Sequence, residues 1–477
     1  MNTKKRMAAD VLDHLPRIDE TWVRAKLADE LDGFDRKIIV LDDDPTGVQT
    51  VHGISVYTDW TVNTMIKGFE EEQSMFFILT NSRGLLASDT KAVHRDIALH
   101  AEEASQATNK PYVIISRGDS TLRGHYPLET ETLKDTVEAQ SGISFDGEVI
   151  IPFFKAGGRF TVDNVHYVLY GEELIPAGET EFARDRTFGY TKSDLGEWVE
   201  EKTNGVYTAA NTTYISLQSL RALEIETIVD QLMAVEHFNK VVVNAADDVD
   251  VEVFTIALIQ AIKKGKHFMF RSAASFTKVI GGVSDKPLLT KEELIQESST
   301  SGGLILVGSH VQKTTEQLEQ LKTVDSITFI EFDVHLVTDA AAFQSETDRV
   351  IALAESAIAS GKTVTIYTRR ERLDLGEGKQ EEELKQSIKI SDAVTSIVER
   401  LQARPRYIIA KGGITSSDIG TKGLRVKRAT VAGQIKPGVP VWITGDESLF
   451  PGMPYIIFPG NVGTRDTLKE TVELLER

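Results

Sequence analysis

The sequence contains no cysteine. Disulfide bonds, thiolate nucleophiles and cysteine-ligated zinc sites are therefore excluded. No stretch approaches the ~18 consecutive apolar residues that a membrane-spanning helix requires. The N-terminal segment MNTKKRMAAD is basic but is not followed by an apolar run, so it does not resemble a secretory signal. The cytoplasm is the expected location.

Basic residues are fewer than acidic residues. The chain has 53 Lys and Arg residues against 72 Asp and Glu residues, which gives a net charge of −19. This balance disfavours non-specific binding to nucleic acids and to anionic membranes. It leaves room for a small anionic ligand, because a few basic side chains can line one site. The length of 477 residues, 41% of them hydrophobic, predicts two large domains or about three smaller ones.

The most informative stretch is KIIVLDDDPTGVQ, residues 37–49. Its apolar run, Ile38–Leu41, predicts a buried parallel strand, and Asp42, Asp43 and Asp44 follow directly. In open α/β sheets, ligands bind just beyond the carboxyl ends of the strands. Carboxylates there can hold a metal ion, accept a proton from a hydroxyl group, or hydrogen-bond a polyol. The alternative is that they only cap the following turn.

The same rhythm of apolar strand, polar cluster and helix recurs along the first half of the chain. This alternation predicts a doubly wound, mostly parallel α/β sheet whose polar clusters meet at one edge. Residues 1–36 are predicted to form a helical arm with a break at Pro16. The further strands are predicted at 75–80, 112–116, 149–154, 241–243 and 268–270.

Two of the polar clusters contain several charged or hydroxyl side chains that could bind a ligand. The segment SRGDSTLRGH supplies Arg117, Asp119, Ser120, Arg123 and His125. An arginine fork can bind two oxygens of a carboxylate or phosphate, and aspartate and serine suit hydroxyl groups. The cluster therefore predicts a site for a small hydroxylated anion, although an ordinary turn with a surface ion pair has the same composition.

The second cluster, PFFKAGGRF, adds basic side chains after another apolar strand. It contains Lys155 and Arg159, with two glycines between them that permit close backbone approach to a ligand. A plain glycine turn is the alternative. His166 follows shortly and is a minor candidate, because a lone histidine is more often structural than catalytic.

The C-terminal part shows a different pattern. A Gly- and Ser-bearing stretch at 281–303 is predicted to be a linker between domains. Beyond it, three predicted strands, 304–307, 407–410 and 455–458, run into the glycine loops GSH, KGGIT and PGNVG. Free backbone N–H groups at such junctions favour phosphate. Neither GxxxxGK[ST] nor GxGxxG occurs there, so neither a P-loop nor a standard dinucleotide fold is indicated.

Taken together, these motifs resemble the four-carbon acid sugar kinase family, which phosphorylates threonate, erythronate and 3-oxo-tetronates. The matching pieces run across nearly the whole chain in the family's order, and DSTLRG is the most specific of them. They are DDPTG at 43–47, SR at 82–83, RGDSTLRG at 117–124, PFFKAGGR at 152–159, HY at 166–167, GSH at 308–310, KGGIT at 411–415 and PGNVG at 459–463.

The resemblance implies two α/β domains, both doubly wound with mostly parallel sheets, and an active site in the cleft between them. Residues 1–280 would form the sugar-acid domain with its N-terminal helical arm, 281–303 the linker, and 304–477 the nucleotide domain. The resemblance also implies ATP and Mg²⁺ as cofactors, with the metal bridging phosphate oxygens and its protein ligands left unassigned.

Carried over by position, the resemblance implies the following binding residues. The sugar acid would be held by Asp44, Arg83, Arg117, Asp119, Ser120 and Thr121, to which local chemistry adds Asp43, Arg123 and Arg159. ATP would be held by Ser309, Gly412, Gly413, Ile414, Thr415 and Gly460, with Asn461 next to them in the same loop. Either Asp44 or Asp119 would accept the proton of the substrate hydroxyl. Arg117, His125 and Asp42 depart from the family pattern and leave the exact substrate open.

Two other classes of protein remain open at this point. The order of Asp42, Asp44 and Thr46 also fits the DxDxT pattern of aspartate-nucleophile phosphatases, with Asp247 and Asp248 as a distant metal pair. A non-catalytic sugar-acid-binding protein is the third possibility. The expected partners are a small-molecule sugar acid and ATP, with no nucleic acid and no membrane, and a homodimer is one assembly left open.

Overall fold

The computed structural model describes residues 5–296, 298–371 and 380–476. It divides the chain into two compact units. Unit 1 contains Met1–Thr50 and Asp59–Ser284, and unit 2 contains Val51–Thr58 and Asp285–Arg477. The last boundary between the units, after Ser284, thus falls inside the stretch 281–303 that the sequence predicts as a linker. The short segment Val51–Thr58 belongs to unit 2, although it follows the first acidic strand.

Unit 1 alternates strands and helices through most of its length. Its strands are β1 (Met7–Ala8), β2 (Lys37–Asp42), β4 (Met75–Leu79), β5 (Tyr112–Arg117), β6 (Gly147–Ile151), β7 (Arg159–Val162), β8 (Val165–Tyr170), β9 (Glu173–Pro176), β10 (Thr213–Ile215), β11 (Asn239–Val243) and β12 (Phe268–Ser272), while β3 (Ser55–Tyr57) lies in unit 2. Its helices are α1 (Glu20–Asp32), α2 (Val62–Glu70), α3 (Ala87–Thr108), α4 (Leu128–Ser141), α5 (Leu195–Lys202), α6 (Leu217–Arg221), α7 (Ile225–Met233), α8 (Asp248–Lys263) and α9 (Ala274–Ile280).

The main sheet of unit 1 has the order β10-β11-β6-β12-β5-β2-β4, and its paired neighbours are parallel. This confirms the predicted parallel α/β sheet. From β2 the chain crosses first to β4 on one side and then to β5 on the other, so β2 lies at a switch point, where α/β sheets bind ligands. The register places Asp42 opposite Arg117 of β5 and Leu79 of β4. Polar residues after these strands therefore converge at one edge.

Unit 1 departs from the sequence prediction at its N-terminus and beyond β6. The prediction of helix over residues 1–36 is right only for α1, since Met7–Ala8 is a strand and Ala9–His14 a short 3₁₀ helix. Strands β1, β9, β8 and β7 form an antiparallel sheet in that order. The β7–β8 turn places Asp163 and Asn164 at φ 49° and 67°. These residue types favour such a hairpin turn, so the pair Asp-Asn was its sequence signal.

The strands of unit 2 form a mixed sheet. Its strands, besides β3, are β13 (Leu304–Val307), β14 (Thr328–Phe332), β15 (Val364–Thr368), β16 (Ile408–Lys411), β17 (Arg428–Lys436), β18 (Val439–Thr444) and β19 (Pro454–Phe458). Its helices are α10 (Lys291–Leu294), α11 (Gln312–Leu321), α12 (Ala340–Ala359), α13 (Gln380–Glu399), α14 (Gly413–Asp418) and α15 (Thr467–Glu476).

The sheet of unit 2 has the order β3-β17-β18-β19-β16-β13-β15-β14. Strands β14, β15, β13, β16 and β19 are parallel, whereas β17 pairs antiparallel with both β18 and β3. β13 is flanked by β15 and β16, so it is the switch point of this sheet. Leu289 and Leu294, which lie within the predicted linker 281–303, are buried in the core of unit 2.

Within the described residues, no helix combines the length and the apolar character that crossing a bilayer would require.

Candidate functional site

The carboxylate of Asp42 is buried at the end of β2. It lies 3.4 Å from Nη1 of Arg117, and a Cβ atom added to Gly47 would come within 2.0 Å of its oxygens. Glycine at position 47 is thus required for the chain to fold over this carboxylate. Burial raises the pKa of the Asp42 carboxyl to about 7, and Arg117 only partly opposes that rise. With 1% of its surface exposed, Asp42 is poorly placed to be the nucleophile of a phosphatase.

Asp43 and Asp44 occupy different environments although they are adjacent. Asp43 is buried and accepts the backbone N–H of Asp119 at 3.1 Å. Asp44 accepts the backbone N–H of Thr46 at 2.7 Å and forms an ion pair with Arg83. The side chain of Asp44 is 21% exposed, against 3% for Asp43. Of the three consecutive aspartates, Asp44 is therefore the most accessible to a ligand.

Asp119 is the centre of the arginine cluster. It accepts Nε of Arg123 at 2.6 Å, lies 3.5 Å from Nη1 of Arg83, and also accepts the hydroxyl of Thr121. Burial would raise its pKa, but Arg83 and Arg123 outweigh burial and hold the pKa of Asp119 well below its usual range. Asp119 therefore remains a carboxylate at neutral pH and organises two of the predicted substrate arginines.

The neighbouring polar residues mostly support this loop. The backbone carbonyl of Ser120 faces Nε2 of the buried His166 at 2.8 Å, and the carbonyl of Thr121 accepts the hydroxyl of Tyr190 at 2.7 Å. Burial lowers the pKa of His166 to about 4, so His166 is neutral at physiological pH. His125 faces the carbonyl of Leu85 at 3.0 Å. These contacts give His166 and His125 structural roles.

Arg159, at the start of β7, joins the cluster through an aromatic ring. Its guanidinium lies 5.5 Å from the ring centre of Phe182, and that of Arg123 lies 5.1 Å from the same ring. Within the described part of the chain, Arg159 forms no side-chain ion pair and its Nε has no hydrogen-bond partner. Burial lowers the pKa of Arg159. Lys155 lies apart from this group, because it pairs with Asp247 at 2.7 Å.

The three consecutive aspartates could in principle hold a metal ion, since one oxygen from each lies within 4.8 Å of the others. Arg117 already faces Asp42 and Asp43, however, and Arg83 already pairs with Asp44. Bound arginines neutralise these carboxylates, so the cluster is better suited to hydrogen-bonding a hydroxylated molecule than to an all-protein metal cage.

Two residues behind the cluster were not predicted as part of the site. Arg271, near the end of β12, donates from Nη2 to the carbonyl of Arg123 at 2.8 Å, and its Nη1 lies 3.3 Å from Oε2 of Glu129. Glu129 accepts the hydroxyl of Ser82 at 2.6 Å. The position of Arg271 after an apolar strand was the available signal, but no role was attached to it.

In unit 2, loops at the carboxyl edge of the sheet and one side of helix α13 line a cavity of about 330 Å³. Ser309, Gly412, Gly413, Ile414 and Thr415, all predicted to bind ATP, are among its lining residues. Gly412 has φ 124°, which favours glycine, and a Cβ atom there would lie 3.0 Å from Cβ of Ser309. A Cβ atom on Gly413 would meet nothing within 4 Å. The remaining lining is Gly308, His310, Thr368, Ser387, Ile390, Ser391, Val394 and Thr395.

The third glycine loop lies beside this cavity. Gly460 is adjacent to Ser309, because a Cβ atom on it would lie 3.3 Å from Oγ of Ser309. Lys411, buried at the end of β16, donates to the carbonyl of Pro459 at 2.6 Å and so fixes this loop to the β16 junction. Burial lowers the pKa of Lys411 to about 7. Asn461, also predicted to bind ATP, does not line the part of the cavity that the described residues form. Its backbone carbonyl accepts a hydrogen bond from Nζ of Lys313 at 3.3 Å.

Comparison with known proteins matches each unit to a domain model. Residues 38–280 match the sugar-binding N-terminal domain, and residues 304–468 match the nucleotide-binding C-terminal domain. The class is therefore that of two-domain proteins with one sugar-binding and one nucleotide-binding domain. The chain belongs to the four-carbon acid sugar kinase family, as the motif resemblance predicted.

Among curated proteins, the chain is 24% identical over 323 residues to a D-erythronate kinase of Heliobacterium modesticaldum. That match spans 66% of each chain, just under two thirds of the relative's length. Among solved structures, it resembles Haemophilus influenzae protein HI1011, with a TM-score of 0.60, 16% identity and coverage of 92% of this chain and 100% of that one. A Salmonella typhimurium LT2 protein, provisionally described as a tRNA synthase, gives a TM-score of 0.64 at 16% identity, covering 91% and 98%. Both structures support the two-domain α/β fold.

Proposed function

We propose that the protein is an ATP-dependent kinase that phosphorylates a hydroxyl group of a four-carbon sugar acid: threonate, erythronate or a 3-oxo-tetronate. The observation that carries this proposal is the convergence of Asp44, Asp119, Arg83 and Arg123 at the switch-point edge of the sugar-binding unit. Family membership and the glycine-lined cavity of the nucleotide-binding unit support it.

Asp44 is the group that accepts the proton from the substrate hydroxyl in this proposal. A general base must be reachable by the substrate and must have proton affinity to spare. Asp119 is held as a carboxylate by Arg83, Arg123 and Thr121 and has a depressed pKa, which makes it a poor proton acceptor. Asp44 is more exposed, and its contact with Arg83 orients it. Asp119 is then the residue that positions the arginines.

Arg159 is the group that pairs with the carboxylate of the sugar acid. The sequence predicts that arginines of this cluster bind an anion, but Arg83, Arg117 and Arg123 are already neutralised by aspartates. Arg159 has no such partner among the described residues, and it shares the Phe182 ring with Arg123. A charged hydrogen bond from a guanidinium to a carboxylate contributes about 1.5–3 kcal/mol.

ATP is assigned to the cavity lined by Ser309 and Gly412–Thr415. The backbone N–H groups of these glycine loops suit phosphate oxygens, and Gly413 leaves space for close approach. Mg²⁺ accompanying ATP would supply charge neutralisation of the phosphates. The chain's own contribution is to hold the two substrates and to exclude water from them.

The test is ADP formation by the purified protein with ATP and Mg²⁺, using each isomer of threonate and erythronate and the 3-oxo-tetronates as acceptors. Erythronate comes first because the Heliobacterium relative is named an erythronate kinase. Acceptor-dependent ADP and a phosphorylated acid confirm the proposal. Phosphate release from a phospho-acid without ATP would point to a phosphatase. Binding of the acid without either reaction would point to a non-catalytic binder.

A further inference from the structure

Behind the arginine cluster lies a buried ion pair that no proposed chemical step uses. Arg271 and Glu129 are 4% and 2% exposed, and Nη1 of Arg271 lies 3.3 Å from Oε2 of Glu129. Removing two charges from water is costly, and apolar residues of similar volume often stabilise a fold equally well. Stability alone therefore does not explain this ion pair, and its contacts suggest a role in positioning the site.

The guanidinium of Arg271 occupies space that two loop glycines leave open. A Cβ atom on Gly118 would come within 1.8 Å of Nη1 of Arg271, and one on Gly124 within 2.9 Å of Nη2. The same Nη2 donates to the backbone carbonyl of Arg123 at 2.8 Å. The loop from Arg117 to Gly124 is thus wrapped closely around Arg271, which fixes the backbone from which the Arg123 side chain extends.

Glu129 links Arg271 to a second loop, the one that contains Ser82 and Arg83. It lies in the first turn of α4, where the helix dipole favours a negative charge. Its Oε1 accepts the hydroxyl of Ser82 at 2.6 Å, and Ser82 is the residue directly before Arg83. Burial would raise the pKa of Glu129, but Arg271, His94 and the Ser82 hydroxyl together outweigh burial and lower it, so Glu129 stays ionised.

The two loops meet again at the front of the site, because Arg83 and Arg123 both contact Asp119. We infer that Arg271 and Glu129 are positioning residues that set the separation of Arg83 and Arg123, and that they govern affinity for the sugar acid without touching it. The link to the sugar acid rests on the proposed function, whereas the positioning of the two arginines does not.

The chain offers a matched control for this pair. Lys240 and Glu148 are also fully buried in unit 1, and their charged atoms lie 2.6 Å apart. They occupy the second positions of β11 and β6, toward the opposite edge of the sheet from the site. Glu148→Gln leaves Lys240 buried without its partner, as Glu129→Gln does for Arg271. Both variants should lose stability, as measured by urea unfolding. Only Glu129→Gln should also change the affinity for the sugar acid.

The kinetic test measures KM for the sugar acid and for ATP separately. Glu129→Gln is expected to raise KM for the acid at least tenfold and to change KM for ATP less than twofold, whereas Glu148→Gln should leave both within twofold. Arg271→Lys should not rescue the site, because a single ammonium cannot reproduce the contacts that two separate guanidinium nitrogens make. Equal kinetic effects of Glu129→Gln and Glu148→Gln, or full activity of Arg271→Lys, would overturn the inference.

A second readout needs no substrate. In protein labelled with ¹⁵N-arginine, the Nε–H signals of Arg83 and Arg123 can be assigned from Arg83→Lys and Arg123→Lys. Both signals should shift in Glu129→Gln and stay in place in Glu148→Gln. If the wild-type protein turns over no sugar acid, the proposed function fails, and this measurement still decides the positioning role. Unmoved signals in Glu129→Gln would refute that role.

Discussion

Asp42→Asn is expected to change how the stability of unit 1 depends on pH. Burial places the pKa of Asp42 near 7 in the folded protein, compared with an ordinary value of 3.8. Between these values the folded state holds a proton that the unfolded state has released, so the free energy of unfolding must fall as pH rises. The stabilisation is complete below about pH 4 and is lost as pH passes through about 7.

The magnitude follows from the size of the shift. Each pKa unit corresponds to about 1.4 kcal/mol, so a shift of about three units amounts to on the order of 4 kcal/mol. Asparagine does not titrate, so the wild-type minus variant difference isolates Asp42 from every other titrating group. Loss of the contact with Arg117 adds an offset, but an offset that does not vary with pH leaves the slope unchanged.

Urea unfolding at a series of pH values between about 5 and 8 measures this difference. Trp442→Phe removes the tryptophan of unit 2, so that fluorescence reports only the unfolding of unit 1, from Trp22, Trp60 and Trp198, the last of which is stacked on Tyr126 at 4.5 Å. Asp29→Asn, which removes an exposed carboxylate on α1, is the control for the loss of one negative charge from unit 1. A flat difference for Asp42→Asn would show that the buried carboxyl titrates normally and would refute the reasoning.

Three further predictions concern activity. Asp44→Asn should lower kcat at least ~100-fold while the protein stays folded, whereas Asp42→Asn should keep most of its turnover; near-normal kcat for Asp44→Asn would remove this residue from the mechanism. Gly413→Val should raise KM for ATP at least ~tenfold, because the valine side chain fills open space in the cavity assigned to ATP, and it should leave the affinity for the sugar acid unchanged. An equal loss of both affinities would argue against separate sites. The acid should exceed its alditol in kcat/KM by at least ~tenfold, and Arg159→Met should narrow that ratio while the exposed Arg184→Met should not; an unchanged ratio in Arg159→Met would assign the carboxylate elsewhere.

Apolar runs located the parallel strands well, because a strand buried on both faces needs consecutive apolar residues. The predicted strand at 112–116 is Tyr112–Arg117, and the run before Asp42 is β2. The antiparallel hairpin of β17 and β18 was not predicted. In β17, buried and half-buried residues alternate, so this strand has no continuous apolar run.

The sequence predicted that these strand-end residues gather at one edge of the sheet, but not how they pair with one another. Strand-end position selected Asp44, Arg83 and Asp119, since parallel strands finish at one edge. The neutralisation of Arg83 by Asp44, and the lack of an ion pair or an Nε hydrogen bond for Arg159 among the described residues, depend on how segments far apart in the chain pack together. A single sequence carries little information about such contacts, so it could not tell which of the candidate arginines are already neutralised by aspartates.

The assignment of Val51–Thr58 to unit 2 has a consequence for dividing this chain. A fragment starting at residue 285 would lack β3, and the β17 edge would lose its pairing of Val56 with Ala429 and the hydrogen bond from Gly53 to Val431. Exposed strand edges invite aggregation. A nucleotide-binding fragment that is to be expressed alone, or exchanged with that of a relative, therefore has to carry a tethered copy of residues 51–58, and the sugar-binding fragment needs a short bridge from residue 50 to residue 59.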